Sequence, residues 1–199
     1  MRASGTEGYG ETADTLVEQY ESLSFEDVHR RLLPLLPAPP ARVVDIGAGT
    51  GRDAAALCRL GHAVTAVEPT AEMRAHGRRR HAALPIRWLD DSLPELARVR
   101  ALDERFDVVL LSAVWMHLDG EQRAAALPHV AALLAPGGLL ALSLRHGPVP
   151  AGRRMFEVST AETQALAASC GLVLAHASEG SSALRAPGVS WSRLAFRMP

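Results

Sequence analysis

The 199-residue chain contains no lysine; all 21 of its basic residues are arginine. This is a composition bias from which no mechanism follows. It does exclude a Schiff-base lysine and the lysine of a phosphate-binding P-loop. Cysteine is scarce as well. Cys58 and Cys170 lie far apart, each in an Ala-rich stretch that reads as a helix. Two buried free thiols in a reducing, cytoplasmic setting are expected, not a disulfide. No apolar run reaches the roughly 18 residues of a membrane span, and residues 1–10 lack the apolar segment of a signal peptide. Excess charge is also missing: a net charge of −1 argues against a general binder of polyanions.

What the chain has in quantity is apolar surface. Hydrophobic residues make up 48% of it, enough for a sizeable core and too much for disorder. The length suits one α/β domain. Residues 11–23 and 25–36 read as two short helices, with Ser24 as N-cap of the second. Pro37, Pro39 and Pro40 close this region, so 1–40 is expected to form a helical cap and 41–199 the core. Strands at 42–46, 63–67, 86–89, 106–111 and 139–144 then alternate with helices at 51–60, 71–81, 94–99 and 120–134. Short, apolar, partly β-branched strands in this rhythm predict a parallel sheet covered on both faces and joined by right-handed crossovers. A helix at 160–170, ended by Gly171, and a closing strand pair at 172–177 and 191–196 complete the pattern.

Residues 43–51 read Val-Val-Asp-Ile-Gly-Ala-Gly-Thr-Gly: a strand, an acid, and three glycines at alternate positions before a helix. Such a turn lets a nucleotide-like ligand approach the backbone closely. Three further landmarks follow in order. Glu68 ends the second strand within Ala66-Val67-Glu68-Pro69. Asp90-Asp91 follows the third. Phe106-Asp107-Val108-Val109-Leu110-Leu111-Ser112 is followed later by Pro136-Gly137-Gly138, read mainly as a turn that launches the fifth strand.

Together these residues resemble the class I S-adenosylmethionine-dependent methyltransferases, over about residues 43–144. The resemblance implies a Rossmann-like, doubly wound, seven-stranded α/β sheet, mostly parallel with an antiparallel last strand, under an N-terminal helical lid. It implies S-adenosylmethionine as methyl donor, S-adenosylhomocysteine as product and no metal. It assigns Gly47, Ala48, Gly49 and Gly51 to the turn around the amino-acid part of the cofactor, with Asp45 as the acid that suits its cationic groups. Glu68 would accept the ribose hydroxyls, and Asp90 or Asp91 the adenine amino group, with Asp91 slightly favoured. Ile46, Pro69 and Met73 would wall the ribose and adenine, and Ser112 and Ala113 would lie beside the methionine part. Arg52 either reaches the cofactor carboxylate or faces solvent, and Asp53 caps the helix.

A nicotinamide or flavin dinucleotide fits less well. That fingerprint wants G-x-G-x-x-G, whereas here the third glycine falls one place early and Arg52 stands where it should be. An acid at Asp45 would also sit awkwardly beside a pyrophosphate. A third class, a binding domain that keeps the fold without turnover, remains open on sequence alone.

Methyl transfer from a sulfonium needs alignment and a dry pocket, and a base only where the acceptor must lose a proton. The candidates lie after the fourth and fifth strands. Trp115 and Met116 either wall the methyl pocket or pack the loop. His117 and His146 are base candidates, with a structural hydrogen bond as the other reading of His117. Tyr9 and Tyr20 either cover the cofactor or pack the cap. Arg145, Arg153 and Arg154 either bind a carboxylate or phosphate of the acceptor or form a solvated face. Arg74, Arg78, Arg79, Arg80 and His81 lack aromatic interleaving and read as a solvated helix face, so nucleic acid is not an expected partner. No Asn-Pro-Pro-Tyr signature follows the fourth strand, and no cluster of acids and histidines suggests a metal. The expected acceptor is a small polar or anionic molecule. The oligomeric state, monomer or homodimer, is left open.

Overall fold

A computed structural model describes residues 6–7, 9–10, 13–181 and 187–199, with the backbone alone for 13–15. Parts of the expected first helix and of the stretch between the last two strands lie outside these residues. Helix α1 spans Ala13–Glu21 and α2 Phe25–His29. Ser24 caps α2, accepting from the Asp27 backbone N–H and donating to the Asp27 carboxylate. The second expected helix is cut short: after His29 the chain passes into a 3-10 turn at Leu33–Leu35, with Pro34 inside it.

The sheet order is β3-β2-β1-β4-β5-β7-β6. Strands β1 (Arg42–Ile46), β2 (Ala63–Val67) and β4 (Phe106–Leu111) fall where the sequence places them, and β3 covers Arg87–Leu89. Helices α3 (Arg52–Arg59), α4 (Ala71–Arg80), α5 (Ala97–Arg100), α6 (Gly120–Ala132) and α7 (Thr160–Ser169) connect or follow them. Strands β1 to β5 are parallel, whereas β7 (Ser190–Arg197) runs antiparallel to both β5 and β6 (Val173–Ser181).

Strand β5 corrects the sequence reading: it begins at Leu134, not at Leu139. Pro136-Gly137-Gly138 is therefore not a turn before the strand but a bulge within it. Phe106 pairs with Leu134 and Val108 with Leu139, so three extra residues are looped out on β5. The freed backbone groups are used: Gly137 N–H donates to Met198 and Met198 N–H to Gly138.

Side-chain alternation explains the double cover. Val44 and Ile46 point into one core with residues of α6 and α7, while Val43 points into the other with Leu57 of α3 and Phe25 of α2. Cys58 and Cys170 are free and half-buried, more exposed than expected. Among the described residues no helix is long and apolar enough to cross a membrane. Adjacent β1 and β4 lead to crossovers in opposite directions, so the crevice beyond their carboxyl ends is the topological switch point where such sheets bind ligands.

One contact beneath this crevice sets a close-packing limit. A Cβ on Gly77 of α4 would stand 2.3 Å from the Trp88 ring and 2.8 Å from the Thr50 carbonyl oxygen. Alanine would ordinarily favour the helix by about 1 kcal/mol. Here overpacking costs about 1–3 kcal/mol, and a backbone atom cannot swing aside. Gly77→Ala is expected to lower the urea midpoint of unfolding; an unchanged or higher midpoint contradicts this packing.

Candidate functional site

A cavity of about 670 Å³ opens at the switch point. Its floor is the turn after β1. Gly47 and Gly51 need glycine on two grounds. Their φ angles are +74° and +80°, and an added Cβ would come within 2.4 Å of Val114 and 2.6 Å of Trp88. The Gly47 and Ala48 N–H groups both donate to the Val67 carbonyl, at 2.8 and 2.9 Å. The carboxylate of Glu68 accepts from the Gly49 N–H at 2.8 Å with one oxygen and from the Thr70 N–H at 2.7 Å with the other. It thus ties the β1 turn to the start of α4. Burial raises the Glu68 pKa, against the pull of these donors and of Arg74.

Asp45 points to the face of the sheet opposite its neighbours Val44 and Ile46. It is 1% exposed, lines the cavity, and among the described residues its Oδ2 has no hydrogen-bond partner. Burial, and then the nearby Asp53, push its pKa well up. An unsatisfied buried acceptor is costly, and this one lies where a ligand can supply the missing donor. Asp53 is satisfied: His29 Nε2 lies 2.7 Å from one oxygen and Arg52 Nε 2.7 Å from the other. Burial alone would raise the Asp53 pKa, but His29 and Arg52 hold it well below the ordinary carboxylate range. Arg52 also donates to the Tyr20 carbonyl at 3.3 Å and lines the cavity.

The aspartate pair divides cleanly. Asp91 lines the cavity and accepts from the Ser92, Arg98 and Val99 N–H groups, capping α5. Asp90 turns outward, half-exposed and 3.1 Å from Arg74.

Beyond β4, Ser112, Ala113, Val114, Met116 and His117 line the cavity. Trp115 does not; it is fully buried in the core beneath a 3-10 turn at Trp115–His117. His117 Nδ1 lies 2.8 Å from the Arg154 carbonyl oxygen, an acceptor only, so Nδ1 carries the proton. In the neutral ring Nε2 then accepts from the Tyr9 hydroxyl at 3.0 Å. Burial lowers the His117 pKa, the Arg154 carbonyl opposes this, and Arg153 adds to it. Burial pushes the Tyr9 phenol far up, while the Arg153 guanidinium, 3.8 Å from the ring centroid, pulls it down.

At the other end stand Arg145, Met155, Val189, Trp191 and Arg193; Leu16, Gln19, Tyr20 and Leu23 close over from the cap. Of the residues singled out in the sequence, the cavity gathers Asp45, Gly47, Gly49, Arg52, Glu68, Pro69, Met73, Asp91, Ser112, Ala113, Tyr20, Met116, His117, Arg145 and Arg153. It leaves out Ala48, Gly51, Asp90, Trp115 and His146. His146 follows Arg145 on β5 and so takes the opposite face, where its Nε2 meets the Ser192 hydroxyl at 2.8 Å. Arg154 pairs with Asp119 at 3.3 Å, outside the cavity lining. The sequence reading missed His29 and Arg193 entirely. No spacing links His29 to Asp53, and Arg193 becomes visible only once β7 is registered against β5. Among the described residues, no three of His, Cys, Asp or Glu are grouped to hold a metal.

Comparison with known proteins bears on this arrangement. Residues 43–138 match a family described as a methyltransferase domain. An uncharacterized methyltransferase of Mycobacterium tuberculosis is 41% identical over 108 residues, 54% of this chain and 41% of that protein. A malonyl-[acyl-carrier protein] O-methyltransferase of Pectobacterium atrosepticum is 32% identical over 142 residues, with coverage of 50% and 54%. The chain thus spans about half the length of the curated relatives it matches. Among solved structures, the magnesium protoporphyrin IX methyltransferase of Synechocystis PCC 6803, with bound S-adenosylmethionine, superposes with a TM-score of 0.68 at 18% identity, covering 96% of this chain and 80% of that one. The 1,6-didemethyltoxoflavin-N1-methyltransferase of Burkholderia thailandensis, with bound 1,6-didemethyltoxoflavin and S-adenosylhomocysteine, gives 0.67 at 23% identity, covering 94% and 89%. These likenesses establish the fold.

The lowered His117 pKa has a measurable consequence. Between its folded value and about 6.5 the unfolded chain binds the extra proton and the folded chain does not, so His117 removes stability as pH falls through that window. His117→Gln removes this contribution. The stability of the wild type minus that of the variant, from urea unfolding at stepped pH, should fall on acidification below pH 6.5. A constant difference contradicts a depressed His117.

Proposed function

We propose that this chain, a class I S-adenosylmethionine-dependent methyltransferase by its fold and by the domain at residues 43–138, transfers the methyl group of S-adenosylmethionine to a small polar or anionic acceptor. The observation that carries this reading is the unpaired Asp45 Oδ2, buried at the end of β1 and facing the cavity. An ammonium brought against this oxygen supplies the missing donor and favours the carboxylate form against the burial that raises its pKa, whereas a pyrophosphate does neither.

The other residues fit the same group. Glu68 uses one lone pair on each oxygen for backbone donors, which leaves acceptor capacity for ribose hydroxyls. Pro69, Met73 and Leu93 offer apolar walls, with Asp91 and Ser92 at the adenine end. Ser112 and Ala113 close the methionine end, and the Ala113 N–H is held by the Ser143 hydroxyl at 2.9 Å. When bound, S-adenosylmethionine supplies an electrophilic methyl on a sulfonium. The protein aligns the acceptor against it and keeps water out, with Leu16, Gln19, Tyr20 and Leu23 of the cap as roof. For an acceptor that must lose a proton, His117 in its Nδ1–H tautomer is the sink. The acceptor's proton passes to the Tyr9 oxygen as the Tyr9 proton moves to His117 Nε2, and the Arg154 carbonyl steadies the resulting imidazolium.

Calorimetric titration with S-adenosylhomocysteine tests the reading. Wild type is expected to bind it and not NADH. A hydrogen bond to a charged group is worth about 1.5–3 kcal/mol, so Asp45→Asn is expected to weaken binding roughly 10- to 100-fold. Binding of NADH in place of S-adenosylhomocysteine, or no loss in Asp45→Asn, overturns it.

A further inference from the structure

Asp45, Glu68 and Asp91 line one end of the cavity and Arg145 and Arg193 the other, and among the described residues no carboxylate stands against these two arginines. Arg52, Arg74, Arg80, Arg87, Arg123 and Arg154 each stand against a carboxylate. Arg145 and Arg193 do not: among the described residues neither has an acidic partner within ion-pair distance. Arg145 donates from Nη1 to the Pro148 carbonyl at 2.7 Å, and Arg193 from Nε to the Val28 carbonyl at 3.2 Å. Both line the cavity.

Strand register puts them side by side. Ala141 pairs with Ala195 and both belong to the core on the α2–α3 face of the sheet. Two residues further, Ser143 pairs with Arg193, and two further still comes Arg145. Period-two alternation returns all of them to that face. Arg145 and Arg193 are therefore diagonal neighbours across the β5–β7 pair, a separation of roughly 7–8 Å in antiparallel geometry. Burial lowers the Arg193 pKa, and the neighbouring Arg31 lowers it further. A guanidinium half withdrawn from water, beside another cation and with no anion, is unfavourable unless a ligand brings the anion. Met155, Val189 and Trp191 supply an apolar wall at the same end.

Resting on the methyltransferase reading, we infer that Arg145 and Arg193 together hold the oxyanion of the methyl acceptor, an apolar-bodied small molecule that bears a carboxylate or phosphate group. The two guanidiniums present forks suited to bidentate recognition of either group. Arg153 and Arg154 play another part. Arg153 lies over the Tyr9 ring and Arg154 pairs with Asp119.

The test uses protein saturated with S-adenosylhomocysteine and titrated with benzoate, phenyl phosphate and neutral benzamide, followed by calorimetry or ligand-observed NMR. Benzoate or phenyl phosphate should bind and benzamide should not, and the tighter anion identifies the group carried by the acceptor. Arg193→Gln and Arg145→Gln should each weaken anion binding roughly tenfold or more, while Arg193→Lys keeps a larger share of it than Arg193→Gln. Should Arg193→Gln fail to fold through loss of its contact to Val28, Arg145→Gln carries the test. Benzamide binding as tightly as benzoate, anion affinity unchanged in Arg145→Gln, or no anion bound by the saturated wild type overturns the inference. Failure of the wild type to bind S-adenosylhomocysteine at all would instead overturn the methyltransferase reading.

Discussion

The carboxylate of Glu68 is the tie between two turns that must meet for a site to exist. One oxygen holds the glycine turn after β1 and the other holds the start of α4 after β2. Burying a carboxylate costs several kcal/mol if it stays charged. Here two backbone donors and the nearby Arg74 offset that cost, though not enough to keep the pKa from rising. The same Val67 carbonyl at the end of β2 takes both the Gly47 and Ala48 N–H groups. Two adjacent parallel strands thus end in one hydrogen-bonded unit, and the cavity floor inherits its rigidity from the sheet.

Strand order also sorts charge along the cavity. Asp45, Glu68 and Asp91 come from the ends of β1, β2 and the loop after β3, on one side of the switch point; Arg145 and Arg193 come from β5 and β7, on the other. Sheet order, not sequence order, separates the two sets. In the proposed reaction, the cationic donor and the anionic acceptor would each be drawn to the end of opposite charge. Their reacting parts would meet near Ser112 and Ala113, at the end of β4 between them.

Much of this was legible beforehand because it depends on local chemistry. Strands β1, β2 and β4 are apolar runs ended by an acid or a turn, and their bounds follow from the residues alone. The glycines at 47 and 51 announce positive φ angles wherever the chain is placed. What escaped depends on facing and register. Asp90 and Asp91 differ by one residue, and only the fold shows that one pairs outward with Arg74 while the other caps α5 inside the cavity. His146 and Arg145 differ by one residue on a strand, so naming both as site residues could not be right for each. Trp115 reads from the sequence as either pocket wall or loop packing, and the fold makes it core. The bulge at Pro136-Gly137-Gly138 has the composition of a turn and is held in the sheet by Met198, which lies 60 residues on and which no local pattern could supply.

The cap does more than cover. Glu21 at the end of α1 accepts from the Thr50 hydroxyl at 2.6 Å and from Arg80 at 2.9 Å, and Arg52 reaches the Tyr20 carbonyl, so α1 is fastened to the glycine turn itself. Tyr9, further along the same cap, meets His117 on the far side of the cavity. The segment that would exclude water in the proposed reaction therefore also supplies the hydroxyl that meets His117. Were the cap to lift, His117 would lose its Nε2 partner and gain water in the same movement. In the proposed methyl transfer, proton acceptance through Tyr9 and exclusion of solvent would then be properties of one closed arrangement.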